Sequence, residues 1–68
     1  MKIKWENGFE ISVKNVNGAV VLSANREGLV SLANILLTLS QEKTGDHIHL
    51  DESNSLEDGS CELIIEKI

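Results

Sequence analysis

The alternation of apolar and polar residues changes period along this chain. From residue 2 the period is two. Lys2-Ile3-Lys4-Trp5-Glu6 alternates, and Asn7-Gly8 follows as a turn dipeptide. Phe9-Glu10-Ile11-Ser12-Val13-Lys14 alternates again, with Phe9, Ile11 and Val13 on one face. Asn17-Gly18 is a strong hairpin signal, and Ala19-Val20-Val21-Leu22-Ser23-Ala24 is an apolar run behind it. Residues 2–24 therefore predict a three-stranded antiparallel meander. The first Asn-Gly also reads as a bulge within one longer strand.

The period then lengthens to that of a helix over residues 25–43. Leu29, Leu32, Ala33, Leu36 and Leu39 fall at i, i+3, i+4, i+7 and i+10. Val30, Ile35 and Leu37 widen this face beyond a coiled-coil seam. Asn25 is a good N-cap, with Ser23 as the alternative, and Glu27 puts a negative charge at the positive end of the helix dipole. Gly28 costs about 1 kcal/mol against alanine. It marks either a close approach of helix to sheet or a later helix start. Lys43 in the last turn and Gly45 just beyond it form a normal stop.

A period of two returns in His47-Ile48-His49-Leu50-Asp51, with Ile48 and Leu50 on one face and His47, His49 and Asp51 on the other. Residues 51–60 form an acidic, turn-rich loop in which Leu56 is the one apolar residue, suited to pin the loop to the body. The last strand runs from Cys61 to Lys67. Cys61, Leu63 and Ile65 suit the core face, and Glu62, Ile64 and Glu66 the outer one.

These elements predict an α+β domain in the order β-β-β-α-β-β. One helix packs on one face of a mostly antiparallel sheet of four to five strands, because a broad apolar helix face needs a sheet to cover it. The open face carries Lys4, Glu10, Ser12, Lys14, His47, His49, Glu62, Ile64 and Glu66. An edge strand is left free to pair with another chain, which makes a homodimer one outcome.

Length and charge narrow the function. The 68 residues make a single small domain, 1–68. A chain this short buries only about 60% of its unfolded surface, so a contact surface is easier to build than an enclosed active site. The single Cys61 cannot form an internal disulfide. With no basic-plus-apolar leader and no long apolar run, the expectation is a cytoplasmic protein without a membrane span. The net charge of −5 is unevenly placed: residues 44–68 hold seven acidic residues and one basic. Such a field repels nucleic acid and attracts basic proteins, although it also serves plain solubility.

The candidate chemistry is sparse. His47 and His49 project from one strand face, roughly 7 Å apart, with Asp51 next in the row. An isolated H-x-H is a weak metal motif, and there is no further histidine to complete a site. The commoner reading of such a pair is exposed sheet-face histidines bonded to Glu62 or Glu66 across the strand, so no metal or cofactor is assigned. No nucleophile elbow, phosphate loop or dinucleotide fingerprint is present, which argues against an enzyme. The loop has oxygen ligands but not EF-hand spacing. The chain lacks the basic stripe and aromatic platform of a nucleic-acid binder.

Several stretches taken together carry a family resemblance. Arg26-Glu27-Gly28-Leu29 opens the leucine-rich helix. His47-Ile48-His49-Leu50-Asp51, Asn54, Leu56, Gly59-Ser60 and Glu62-Leu63-Ile64-Ile65 follow in order. From Asn25 onward this string resembles the small bacterial immunity proteins of polymorphic toxin systems, of the type called immunity protein 32; the first 24 residues carry no matching motif. The resemblance implies a non-enzymatic antitoxin that binds the toxin domain encoded beside it. The acidic C-terminal part suits a basic partner such as a nuclease. The residues expected to face it are His47, His49, Asp51, Glu52, Glu57, Asp58 and Glu62. The competing reading is a small structural or regulatory interaction domain, homodimeric through its strand edge, with no toxin partner.

Overall fold

The computed structural model describes residues 1–68. Its elements are β1 (Ile11–Val16), β2 (Ala19–Ala24), α1 (Arg26–Ser40), β3 (His47–Leu50) and β4 (Leu63–Glu66). They do not form the single sheet of four to five strands that the alternation predicts. β1 and β2 pair as one antiparallel hairpin, and β3 and β4 as a second, separate antiparallel pair. The order is β-β-α-β-β.

Two local causes account for this correction. The first concerns residues 1–10, where the expected first strand is absent. Their backbone groups are taken up by side chains of the helix and its cap. The Glu6 N–H donates to the Ser31 hydroxyl at 2.8 Å, and the Asn34 side-chain amide donates to the Lys4 carbonyl at 2.9 Å. Trp5 and Phe9 stack with ring centroids 4.7 Å apart, closing the segment onto itself. The second cause lies at the outer edge of β1. The loop after β3 occupies that edge: the Glu57 N–H donates to the Ile11 carbonyl at 2.9 Å and the Cys61 N–H to the Val13 carbonyl at 2.7 Å. An edge filled by irregular backbone has no groups left for a third strand.

The first hairpin forms where its turn signal predicts. Asn17 and Gly18 both adopt positive φ, 52° and 84°, as a tight primed turn requires. The helix also starts as predicted. The Asn25 side-chain oxygen accepts from the Gly28 N–H at 2.7 Å and from the Glu10 N–H at 3.0 Å, and its amide donates to the Gly8 carbonyl at 3.0 Å. One side chain thus caps the helix and fastens the N-terminal segment. The helix ends earlier than residue 43, at Ser40. No basic residue lies in its last turn; instead Lys67, far along the chain, donates to the Ser40 and Glu42 carbonyls at 2.8 and 2.6 Å. A positive charge at a helix C-terminus satisfies carbonyls that have no partner within the helix.

The inward face of α1 is rotated from the leucine stripe. Gly28, Ser31, Leu32, Ile35 and Leu39 are buried, whereas Leu29, Leu36 and Leu37 are exposed. The apolar residues span a broad arc, with Glu27, Asn34 and Thr38 on the strip left over, so hydrophobicity alone does not fix which part of the arc turns inward. The small residues do. A Cβ on Gly28 would sit 2.5 Å from the Glu10 carbonyl oxygen and 2.9 Å from Ile11, so only glycine lets the helix meet the first hairpin this closely. The core lies between the helix and both hairpins: Ile11 and Val13 from β1, Leu32 and Ile35 from α1, Leu50 from β3 and Leu56 from the loop.

Candidate functional site

The second hairpin and its connecting loop carry six of the chain's eleven acidic residues. In β3–β4, His47 lies opposite Glu66, Ile48 opposite Ile65, His49 opposite Ile64 and Leu50 opposite Leu63. Directly opposed residues share a face. Ile48, Leu50, Leu63 and Ile65 pack toward the core, and His47, His49, Ile64 and Glu66 form the outer face. The alternation in the sequence already implied this division. The two imidazole rings meet edge to face at 4.9 Å. His47 Nδ1 lies 3.2 Å from the Gly45 carbonyl, and His49 Nδ1 lies 3.1 Å from a Glu62 carboxylate oxygen. The His49 ring thus reaches past Ile64, its cross-strand neighbour, to Glu62 just before β4, and the contact is an ion pair whenever the imidazole is protonated.

Asp51 does not extend this row as a free ligand. Its carboxylate accepts from the Ser53 hydroxyl at 2.7 Å and the Ser53 N–H at 2.9 Å. The Ser53 hydroxyl, with help from backbone N–H groups of Ser53 and Asn54, holds the Asp51 carboxyl below the usual carboxylate value against some desolvation. The Asp51 carbonyl accepts from Asn54, Ser55 and Leu56. The Asn54 side chain closes the turn, accepting from the Asp51 N–H at 3.0 Å and donating to the His49 carbonyl at 2.9 Å. Asp51 is thus a turn-former, and its charge is spent on the loop's own donors.

The other loop acids divide in the same way. Glu52 accepts from the Gly59 N–H across the loop. Glu57 and Asp58 are exposed and make no side-chain hydrogen bond or ion pair. The backbone beneath them is rigidly placed, because Leu56 is buried and Glu57 and Cys61 are bonded to β1. Ser60 adds a further tie, its hydroxyl accepting from the Val13 N–H at 3.2 Å. The same docking carries Glu57 to a shallow surface groove shared with Glu10 and Asn25. Periodicity put Glu10 on an open sheet face with no link to the acidic loop. The docking of the loop on β1, with the Glu57–Ile11 backbone bond nearest, brings the two acids together.

Cys61 corrects another expectation. It is exposed rather than in the core. The chain at Cys61 is still following β1 and joins β4 only at Leu63, so the alternation of the last strand does not reach back to it. No three His, Cys, Asp or Glu side chains converge as a metal shell. No helix is long and apolar enough to cross a membrane.

Comparison with known proteins gives one family. The family model described as Immunity protein 32 matches residues 19–68, from the start of β2 through both faces of the second hairpin to the end of the chain. The match reaches further toward the N-terminus than the motif string that begins at Asn25. No curated protein and no solved structure matches the chain. With all of α1, the acidic loop and the β3–β4 pair inside the matched region, this chain belongs to the Immunity protein 32 family.

Proposed function

We propose that the protein neutralises a cognate bacterial toxin domain by binding it through the acidic surface of the 51–62 loop and the outer face of β3–β4. The observation that carries this reading is the contrast among the loop's acids. Asp51 and Glu52 are consumed in holding the loop, whereas Glu57 and Asp58 stand free on a backbone pinned to β1. Free carboxylates on a fixed backbone bind a basic partner with little ordering cost. Glu10, carried to the same groove, adds to the negative surface. His47, His49, Glu62 and the exposed Ile64 supply a mixed rim beside it. A basic nuclease domain is the partner chemistry this field suits, and the acidic surface would compete with its nucleic-acid substrate. The protein acts by contact; no catalytic step is assigned to it.

The test is co-expression of the tagged chain with the toxin domain encoded beside it, followed by gel filtration and a growth-rescue assay. A complex that survives gel filtration and restores growth is expected. Charge reversal by Glu57→Lys with Asp58→Lys should slow association and weaken binding by about tenfold or more, with a flatter salt dependence. Unchanged binding by this double variant would remove the acidic surface from the mechanism. No complex and no rescue would overturn neutralisation of that toxin.

A further inference from the structure

The outer, β2 edge of the first hairpin is open. β2 reads Ala-Val-Val-Leu-Ser-Ala, without charge, proline or bulge, and five of its six residues are exposed. Val20 is 68% exposed, Val21 44% and Leu22 40%. Of the backbone hydrogen bonds outside the regular elements, none involves residues 19–24. Edge strands of monomers are normally guarded by lysine, proline or a bulge. This one has no guard.

The hydrogen-bond phase shows which groups are free. The Asn25 N–H donates to the Glu10 carbonyl at 3.1 Å, just beyond the ladder, which sets this position in the hydrogen-bonded phase. Exchanging pairs alternate along an antiparallel ladder. Ser23, Val21 and Ala19 therefore aim their backbone groups at β1, in register with Ser12, Lys14 and Val16. Val20 and Leu22 aim theirs outward. We infer that β2 joins a second copy of the chain by antiparallel pairing about a two-fold axis at Val21.

In this register Val20 of each copy exchanges two hydrogen bonds with Leu22 of the other. The two Val21 side chains meet at the axis on one face, and Val20 and Leu22 meet on the opposite one. The same patch serves both copies, as a two-fold interface requires. The result is a continuous sheet in the order β1-β2-β2-β1, which gives each two-stranded ribbon the further strands that independent stability calls for. Charge favours a second copy over the basic partner proposed above. The chain carries −5 overall, yet nothing on this strand repels its own twin. The nearest strand charges are the two Lys14, three strand spacings apart at about 14 Å and beyond the Debye length of about 8 Å at physiological salt. A basic toxin finds no counter-charge here; its attraction is to the loop.

Sedimentation equilibrium of the full chain from micromolar to near-millimolar concentration tests the pairing. The mass is expected to rise to twice the 7.5 kDa of one chain. Val20→Lys should raise the dissociation constant at least about tenfold, because it puts an unpaired charge against Leu22 of the twin. Circular dichroism checks that the variant is folded. The register has its own test in a Cys61→Ser background. Val21→Cys should form a disulfide dimer on mild oxidation, since non-exchanging pairs lie about 4.5 Å apart at Cα, within disulfide reach. Val20→Cys should not, because its symmetry mate is displaced by two residues. A mass fixed at one chain throughout, or equal crosslinking at positions 20 and 21, would overturn the inference. So would a monomeric wild type whose toxin complex is lost in Val20→Lys, which would assign the edge to the toxin.

Discussion

The two hairpins are built from the same unit and present opposite surfaces. β1–β2 is closed by a tight Asn-Gly turn and presents a neutral apolar strand with unpaired backbone. β3–β4 is closed by a twelve-residue connection, 51–62, and presents histidines and carboxylates whose side chains are in part already bonded to one another. The first hairpin offers generic main-chain pairing, which suits an identical strand. The second offers charge and specific side chains, which suit a foreign surface. A small domain has little interior to specialise, so the contrast is written on the surfaces of its two hairpins.

The most severe way to break the comparison is through the core beneath it. Leu50 in β3 is buried, and Leu50→Ala is expected to cost about 3 kcal/mol in urea unfolding. Leu22→Ala in β2, at a position 40% exposed, should cost about 1 kcal/mol or less when measured at low protein concentration, where self-association does not enter. Equal costs would mean that β2 is as deeply packed as β3.

The helix is tied to each hairpin at a different end, and these ties make the next test. Gly28→Ala improves helix propensity by about 1 kcal/mol but forces a methyl against the Glu10 carbonyl and Ile11. Overpacking should win, leaving the variant about 1–2 kcal/mol less stable. A stabilised variant would show that the first hairpin can back away from the helix. At the other end, Lys67→Met keeps the alkyl stem and removes the cation that holds the Ser40 and Glu42 carbonyls. A loss of about 1 kcal/mol is expected, together with faster amide exchange in the last helical turn.

The smallest expected effect concerns pH. The Asp51 carboxyl is lowered in the folded chain, chiefly by the Ser53 hydroxyl. Its contribution is therefore fully present above the ordinary carboxylate value of about 4 and is lost as pH falls through the lowered folded value. Ser53→Ala should move the Asp51 titration, followed by carbon-detected NMR, back toward that ordinary value. It should also make unfolding in acid less dependent on this group. An unmoved titration would exclude the hydroxyl as the cause.

Much of the local structure was legible in the chain. Asn17-Gly18 specified a hairpin, Asn25 specified a helix start, and Leu56 in a polar loop specified an anchor; each depends on neighbours a few residues away or on a lone apolar side chain. His47 and His49 were sorted from Ile48 and Leu50 by strand alternation alone. The failures share a different cause. Lys2–Glu6 alternates like a strand, yet Ser31 and Asn34 of the helix take its backbone groups. The leucine stripe suggested one helix face, and close packing at Gly28 and Ser31 selected another. Cys61 followed the strand pattern of its neighbours and was drawn to the surface by its bond to Val13. The family string from the helix to the last strand was readable because it is itself a local order of residues.

The sequence by itself therefore determined where the chain turns, where the helix begins, the sign of the charge at the C-terminal end, and the family. The tertiary structure decided that the strands form two pairs rather than one sheet. It also decided that Glu10 joins the acidic loop, that Lys67 closes the helix, and that β2 keeps an open edge. Periodicity records which side of an element avoids water, a property of near neighbours. Which backbone edge is filled, and by what, depends on hydrogen bonds between residues as far apart as Ile11 and Glu57, and no local pattern encodes that competition.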